Sequence, residues 1–231
     1  MNKIFKPGDT VLFMGDSITD CGREFVGNDF GYGYAYKVRE MYNELFSDDN
    51  LQGSQAENYY PPIKADSGVN FVNRGIGGNH LIDVINRYER DIKAVNPDFM
   101  SILIGANEVL HYYTEGRELV TGEVFEEQYE RLMQQFRKDF PKAKLMIIEP
   151  FFIPTLLEEH YKLCMGTLAP EILVVRKMAA KYADYFLPLG SIFTKALMEY
   201  KPVEIARDGI HPTPIGHGII AYEFMKTLGI I

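Results

Sequence analysis

The sequence predicts an α/β fold, a three-layer α/β/α sandwich around a five-stranded parallel sheet. Five short apolar runs recur along the 231 residues, and each run is continuous rather than alternating. Continuous apolar runs are typical of strands that are buried on both faces. Segments with apolar residues at three- and four-residue spacing separate the runs. A repeated strand, helix, strand order indicates a parallel sheet with helices on both sides.

The five predicted strands use the whole length of the chain. They lie at residues 11–14, 71–72 (within VNFVNRG, 69–75), 99–104, 145–148 and 186–189. Because one sheet accounts for all of them, we predict a single domain over residues 1–231.

Helical periodicity fills the intervals between the strands. Leu81, Ile85, Tyr88, Ile92 and Val95 predict one helix, which Asn96 and Pro97 end. A second helix spans residues 125–140 before Pro141, and a third, covering 172–182, begins behind Pro170.

The last helix has a start signal of its own. Thr213 followed by Pro214 is typical of an N-cap residue and a first-turn proline. The apolar residues Ile220 and Phe224 mark the buried face of this helix, and we place His217 on its exposed surface.

Residues 47–68 fit neither pattern. This stretch is polar, aperiodic and longer than an ordinary connection between elements. We predict a surface loop, and the run YYPP at 59–62 leaves a lid or an oligomer contact open.

Charge and composition exclude several classes of partner. The formal net charge is −8, and no block of Lys and Arg forms a basic patch, so a nucleic-acid partner is not expected. The first residues lack the apolar region of a signal peptide, and no apolar run approaches membrane-spanning length. Two scattered cysteines are too few for a disulfide framework. We therefore predict a reduced, cytoplasmic protein without a membrane partner, and a homo-oligomer remains open.

Polar or glycine-rich residues follow the first three predicted strands. These stretches are GDS at 15–17, NRGIGGN at 73–79 and GANE at 105–108, and a fourth, DGIHP at 208–212, precedes the last helix. Ligands of open parallel sheets bind beyond the carboxyl ends of the strands. The sequence therefore predicts that the four stretches meet at one edge of the sheet.

Together these residue types suit nucleophilic catalysis. A serine becomes a good nucleophile when a histidine takes its proton, and an acceptor must orient that histidine. Ser17, His211 and Asp208 can fill these three roles. Acyl transfer also needs donors to the oxyanion, which the amide of Asn107 and the N–H groups of Gly78 and Ser17 can supply.

The four stretches, in this order, resemble the sequence blocks of the GDSL, or SGNH, hydrolases. The resemblance implies the flavodoxin-like α/β/α fold of that family, with Ser17 as nucleophile, His211 as base, Asp208 as its orienting acid, and Gly78 and Asn107 as oxyanion donors. It implies no cofactor. GDSITDCGR and NRGIGGN are most similar to the intracellular branch that deacetylates sugars. The family usually has Asp where this chain has Glu108, which implies a supporting role there.

Four further residues are candidate substrate contacts: Asp16, Tyr32, Glu108 and His111. Beside an esterase for acetylated sugars or oligosaccharides, a lipase, lysophospholipase or acyl-thioesterase stays open. A rival from another class is a non-catalytic, flavodoxin-like module that binds a nucleotide through NRGIGGN. Asp208, His211 and His217 match no common metal-ligand spacing, so no metal is predicted.

Overall fold

The computed structural model describes residues 2–23, 29–47, 66–155 and 158–231. Five parallel strands form one sheet in the order β2-β1-β3-β4-β5. They are β1 (Thr10–Gly15), β2 (Asn70–Gly75), β3 (Phe99–Leu103), β4 (Lys144–Ile148) and β5 (Tyr185–Leu187). The predicted fold class and all five strands are confirmed. The strand order reverses beside β1, which is where ligands bind in open α/β sheets.

Helices cover both faces of this sheet. They are α1 (Ser17–Asp20), α2 (Tyr34–Phe46), α3 (Leu81–Asn86), α4 (Ala106–Glu115), α5 (Gly122–Asp139), α6 (Glu158–Tyr182), α7 (Leu189–Ala196), α8 (Pro202–Ile205) and α9 (Pro214–Thr227). A π-helical segment, Glu89–Lys93, follows α3. None of the helices in the described ranges is long and apolar enough to cross a membrane.

Alternate residues of the buried strands supply two separate cores. Val11 and Phe13 of β1 pack with Phe224 of α9 and with α2 on one face. Leu12 and Met14 pack with α3, α5 and α6 on the other face. This division explains why the strand sequences are apolar at consecutive positions.

The helix predicted over residues 81–95 is interrupted. α3 ends at Asn86, and the turn that follows is π-helical. Apolar spacing does not reveal this change because a π-helical turn inserts one residue without reversing the buried face. The predicted end is confirmed, since Asn96 has a φ of +53° and Pro97 follows.

Pro170 does not begin a helix as predicted but lies inside α6. A proline removes one hydrogen bond from a helix. Packing offsets this loss, because Leu168 before the proline and Val175 after it are both fully buried.

The expectation that His217 lies on the surface of α9 is wrong. His217 is 3% exposed, its Nδ1 accepts the N–H of Tyr34 at 3.1 Å, and its Nε2 lies 3.2 Å from Cys21 Sγ. Burial lowers the pKa of His217 to about 4. This neutral imidazole joins α9 to α2 and to the end of α1.

Two other sequence predictions concern loops and caps. Thr213 caps α9 through its side-chain oxygen, which accepts the N–H groups of Ile215 and Gly216, as predicted. Most of the predicted surface loop 47–68 lies outside the described residues.

Candidate active site

Ser17 reaches the edge of the sheet through a tight strand-to-helix turn. A side chain on Gly15 has no room there, because its Cβ would lie 2.3 Å from Thr19 Oγ1 and 2.5 Å from the Leu103 carbonyl oxygen. Asp16 then caps α1, since its Oδ1 accepts the N–H of Ile18 at 2.9 Å. Ser17 is consequently the first residue of α1 and is half-buried.

Asp208 and His211 are held together by a turn of the chain between them. Asp208 Oδ1 accepts the N–H of Ile210 at 3.0 Å and of His211 at 2.8 Å. Side chains of Asp form such turns with backbone two or three residues further on. The second oxygen, Oδ2, is left to accept Nδ1–H of His211 at 2.6 Å.

The structure brings Ser17, His211 and Asp208 into one hydrogen-bonded chain. Ser17 Oγ lies 2.9 Å from His211 Nε2, although 194 positions separate the two residues. With Nδ1–H donated to Asp208, Nε2 of the neutral imidazole is free to accept the serine proton. This is the geometry that activates a serine hydroxyl.

The charges of the site favour a histidine that gains a proton. The hydrogen bond to Asp208 raises the pKa of His211 above its usual value, against the opposing effect of burial. Burial raises the pKa of Asp208, but hydrogen bonds from the ring and backbone of His211 outweigh it and hold that pKa at about 2. Asp208 therefore stays ionised and stabilises the imidazolium form of His211.

Gly78 belongs to a loop that passes next to Ser17, and Asn107 is hydrogen-bonded to that loop. A Cβ on Gly77 would lie 3.9 Å from Ser17 Cβ, so the glycine loop, residues 76–79, runs past the serine. Gly78 has a φ of +74°, a conformation that favours glycine. Asn107 donates one hydrogen of its Nδ2 to the carbonyl oxygen of Asn79 at 3.0 Å, and the second hydrogen remains for another acceptor.

The structure does not support substrate contact by Asp16 and Glu108. Asp16 is 1% and Glu108 0% exposed, so neither carboxyl faces a binding space. Glu108 Oε1 accepts the N–H of Leu81 at 2.6 Å, which joins the start of α3, just after the glycine loop, to α4. The supporting role that the family resemblance implies for Glu108 agrees with this bond.

Glu108→Gln is expected to stabilise the protein at neutral pH. Burial raises the pKa of Glu108 to about 8, so the folded state keeps a proton that the unfolded state loses near 4.5. Stability is therefore lost as pH rises from 4.5 through 8, by about 3 kcal/mol at pH 7. Glutamine stays neutral and keeps the acceptor for Leu81.

Urea unfolding of the wild type and of this variant at pH 4.5 and pH 7.5 measures the effect. The difference in the free energy of unfolding should be small at pH 4.5 and should grow with pH. A difference independent of pH would show that Glu108 is not protonated in the folded state.

Tyr32 and His111 differ in their access to the site. Tyr32 is 59% exposed, and its ring packs over Gly22 just after α1. His111 is buried beside Gly78, and its Nδ1 lies 2.7 Å from Nε2 of His80. Tyr32 thus remains a candidate substrate contact, whereas His111 supports the glycine loop through His80.

Two residues near the site, His80 and Arg87, could not be recognised as functional from the sequence. Both are buried polar side chains that bond to the glycine loop or its partners. Arg87 lies in an amphipathic segment, where an arginine is ordinarily exposed to solvent. Its sequence context therefore did not indicate a buried role. No group of three potential metal ligands occurs within the ranges that the structure describes.

Comparison with known proteins identifies the family. The sequence profile of the GDSL-like lipase/acylhydrolase family matches residues 13–219. An acetylxylan esterase of Geobacillus stearothermophilus is 29% identical over 229 residues, which cover 96% of this chain and 94% of the relative.

Two solved structures share the fold over nearly the whole chain. One, from Parabacteroides merdae and assigned to the GDSL-like lipases, has a TM-score of 0.80 and 26% identity and covers 98% of both chains. The other is a catalytic mutant of the Geobacillus esterase in which a serine is replaced by alanine, with a TM-score of 0.74 and 27% identity over 98% of this chain and 97% of that one. These relatives contradict the alternative of a non-catalytic nucleotide-binding module. The chain belongs to the GDSL-like lipase/acylhydrolase family and is a carboxylic ester hydrolase.

Proposed function

We propose that this chain is a serine esterase that removes acetyl groups from the hydroxyls of sugars or oligosaccharides. The observation that carries the proposal is the 2.9 Å contact between Ser17 Oγ and His211 Nε2, with Asp208 on the far side of the ring. This arrangement supplies a nucleophile, its base and the group that orients the base.

In the proposed first step, Ser17 Oγ attacks the ester carbonyl while Nε2 of His211 takes the serine proton. The carbonyl oxygen becomes an oxyanion, which accepts hydrogen bonds from the N–H groups of Ser17 and Gly78 and from Nδ2 of Asn107. When the tetrahedral intermediate collapses, the imidazolium gives its proton to the leaving sugar oxygen. An acetyl group then remains on Ser17.

In the second step, water replaces the sugar. Nε2 of His211 takes a proton from the water molecule as its oxygen attacks the acyl carbonyl, and the same oxyanion donors act again. The proton returns to Ser17 Oγ as acetate leaves. The substrate and the added water supply every atom of the products, and none of the proposed steps uses a cofactor.

The relatives support the choice of an acetylated carbohydrate. The curated relative is an esterase of acetylated xylan, and alanine in place of one of its serines gives a catalytic mutant. This chain has no tryptophan. We therefore expect a sugar site whose aromatic contacts come from Tyr or Phe, of which Tyr32, whose ring packs over Gly22 just after α1, is an exposed example.

A series of p-nitrophenyl esters from acetate to octanoate tests the acyl preference. We expect kcat/KM to decline steeply beyond acetate, together with release of acetate from acetylated xylo-oligosaccharides. Each extra methylene that a small acyl pocket rejects changes the rate by about 10-fold or more. A maximum at longer chains would instead indicate a lipase, a lysophospholipase or an acyl-thioesterase.

A further inference from the structure

We propose that Arg87 is a positioning residue for the oxyanion donors, because its guanidinium fixes the glycine loop, residues 76–79, to the end of β1. This inference rests on the proposed function, since it assigns a role to Arg87 in the same reaction. The Arg87 guanidinium bonds to Asn79, to Asp91 and to two backbone carbonyls rather than to Ser17, so it acts on the reaction through Asn79 and Asn107.

Arg87 reaches three parts of the site at once. Its Nε donates to Asn79 Oδ1 at 2.8 Å, its Nη1 to the Arg74 carbonyl oxygen at 2.6 Å, and its Nη2 to the Gly15 carbonyl oxygen at 3.1 Å. Gly15 stands two residues before Ser17, and Arg74 lies near the end of β2. A single planar side chain therefore ties the strand that carries the nucleophile to the loop that carries Gly78.

The charge of Arg87 is balanced by Asp91 in the π-helical segment. Nη1 donates to Asp91 Oδ2 at 2.8 Å, and the two side chains are 8% and 5% exposed. Burying an ion pair costs solvation that is repaid only by good geometry, so such a pair contributes more to fixing a structure than to stability. The π-helical turn places Asp91 where it meets both Arg87 and the exposed Arg90.

Asn79 connects Arg87 to Asn107, the proposed side-chain donor to the oxyanion. Its side chain is held by Arg87, and its carbonyl oxygen accepts the Nδ2 hydrogen bond of Asn107. With one amide hydrogen engaged there, the other has a fixed direction. The N–H of Ile76 also donates to Gly15, at 3.2 Å, so Arg87 and the start of the loop share one acceptor.

The far end of the loop has separate supports. Leu81 is held by Glu108, and His80 by His111. Loss of the Arg87 contacts should therefore loosen residues 76–79 without releasing the whole segment. Because donors to the oxyanion act in the transition state and not on the bound ester, the expected effect falls on kcat and not on KM.

Arg87→Lys tests this role against a matched control, Arg90→Met. Lysine keeps a positive charge beside Asp91, but its one nitrogen cannot reach Asn79, Arg74 and Gly15 together. We expect kcat on p-nitrophenyl acetate to fall on the order of 10-fold with KM nearly unchanged. Arg90 binds the same carboxylate without touching the loop, so Arg90→Met should keep wild-type kcat.

A double-mutant cycle with Asn107→Ala separates positioning from general destabilisation. Asn107→Ala alone should lower kcat about 10²–10³-fold. In that background Arg87→Lys should cost clearly less than in the wild type, because the Asn107 donor is gone and only the Gly78 N–H is left for the loop to position. Should Arg87→Lys fail to fold, Asn79→Ala replaces it in the cycle, since Asn79 is only half-buried and its carbonyl oxygen is retained.

The outcomes distinguish the two proposals. Equal costs of Arg87→Lys in both backgrounds, or an unchanged kcat in the single variant, would overturn the positioning role alone. An unchanged kcat in Asn107→Ala would overturn the oxyanion assignment of the proposed function, and the role of Arg87 with it.

Discussion

Ser17→Ala is expected to lower kcat for p-nitrophenyl acetate by about 10⁴-fold or more. The variant keeps the oxyanion donors and the substrate site but has no oxygen that can form the acyl-enzyme. Water must then attack the ester directly, and the remaining rate should come from the oxyanion donors and from binding. Steady-state kinetics at pH 8 measures the loss.

Two controls test whether the loss of activity is specific to the Ser17 hydroxyl. Ser191→Ala removes a hydroxyl from the first turn of α7, where Oγ donates to the Pro188 carbonyl oxygen, and this variant should keep full activity. An organophosphonate probe should label the wild type on the peptide that contains Ser17 and should leave Ser17→Ala unlabelled. Substantial hydrolysis by Ser17→Ala would show that another group is the nucleophile.

The strands could be predicted from sequence because burial on both faces leaves a plain signal. Every core strand has apolar residues at consecutive positions, and packing against helices on the two faces of the sheet requires this. The interruption of the helix at 81–95 could not be predicted, because the π-helical turn keeps the same face buried and so leaves the apolar spacing unchanged. Pro170 gave a wrong helix start because tertiary packing on both sides of a proline is invisible to local propensity.

The meeting of Ser17, Asp208 and His211 could be anticipated from residue types and spacing. Because all strands of a parallel sheet run in one direction, their carboxyl ends lie at one edge. The short interval from Asp208 to His211 allows the Asp208 carboxylate to bond both the backbone N–H and the ring of His211. The surroundings could not be anticipated. Burial of His217 against Cys21 and the reach of Arg87 to Gly15 depend on contacts between segments far apart in the chain.

Asp208→Asn is expected to lower kcat by about 10³–10⁴-fold while leaving the turn intact. Asparagine keeps an oxygen that accepts the N–H groups of Ile210 and His211. Its amide, when it faces Nδ1, donates a hydrogen bond and so favours the tautomer in which Nε2 carries the proton. That tautomer cannot accept the proton of Ser17.

The same substitution should also move the pH dependence. The proposed mechanism needs neutral His211, so kcat/KM of the wild type is expected to fall as pH drops through the pKa of His211, which Asp208 raises above its usual value. Without the carboxylate that pKa decreases, and the acid limb of the profile shifts to lower pH. A pH series from 5 to 9 on both proteins measures the shift.

Asp16 is a second group whose titration could produce the acid limb, and the two pH profiles distinguish it from His211. Burial raises the pKa of Asp16 to about 6, despite the N–H of Ile18 and the charge of His211. Asp16 therefore loses its charge as pH falls through about 6, so its titration also lies on the acid side of the profile. Asp208→Asn removes the hydrogen-bond partner of His211 and leaves the burial of Asp16 unchanged. An acid limb that stays in place would assign the limb to Asp16, whereas a limb that moves to lower pH assigns it to a histidine whose proton affinity Asp208 sets.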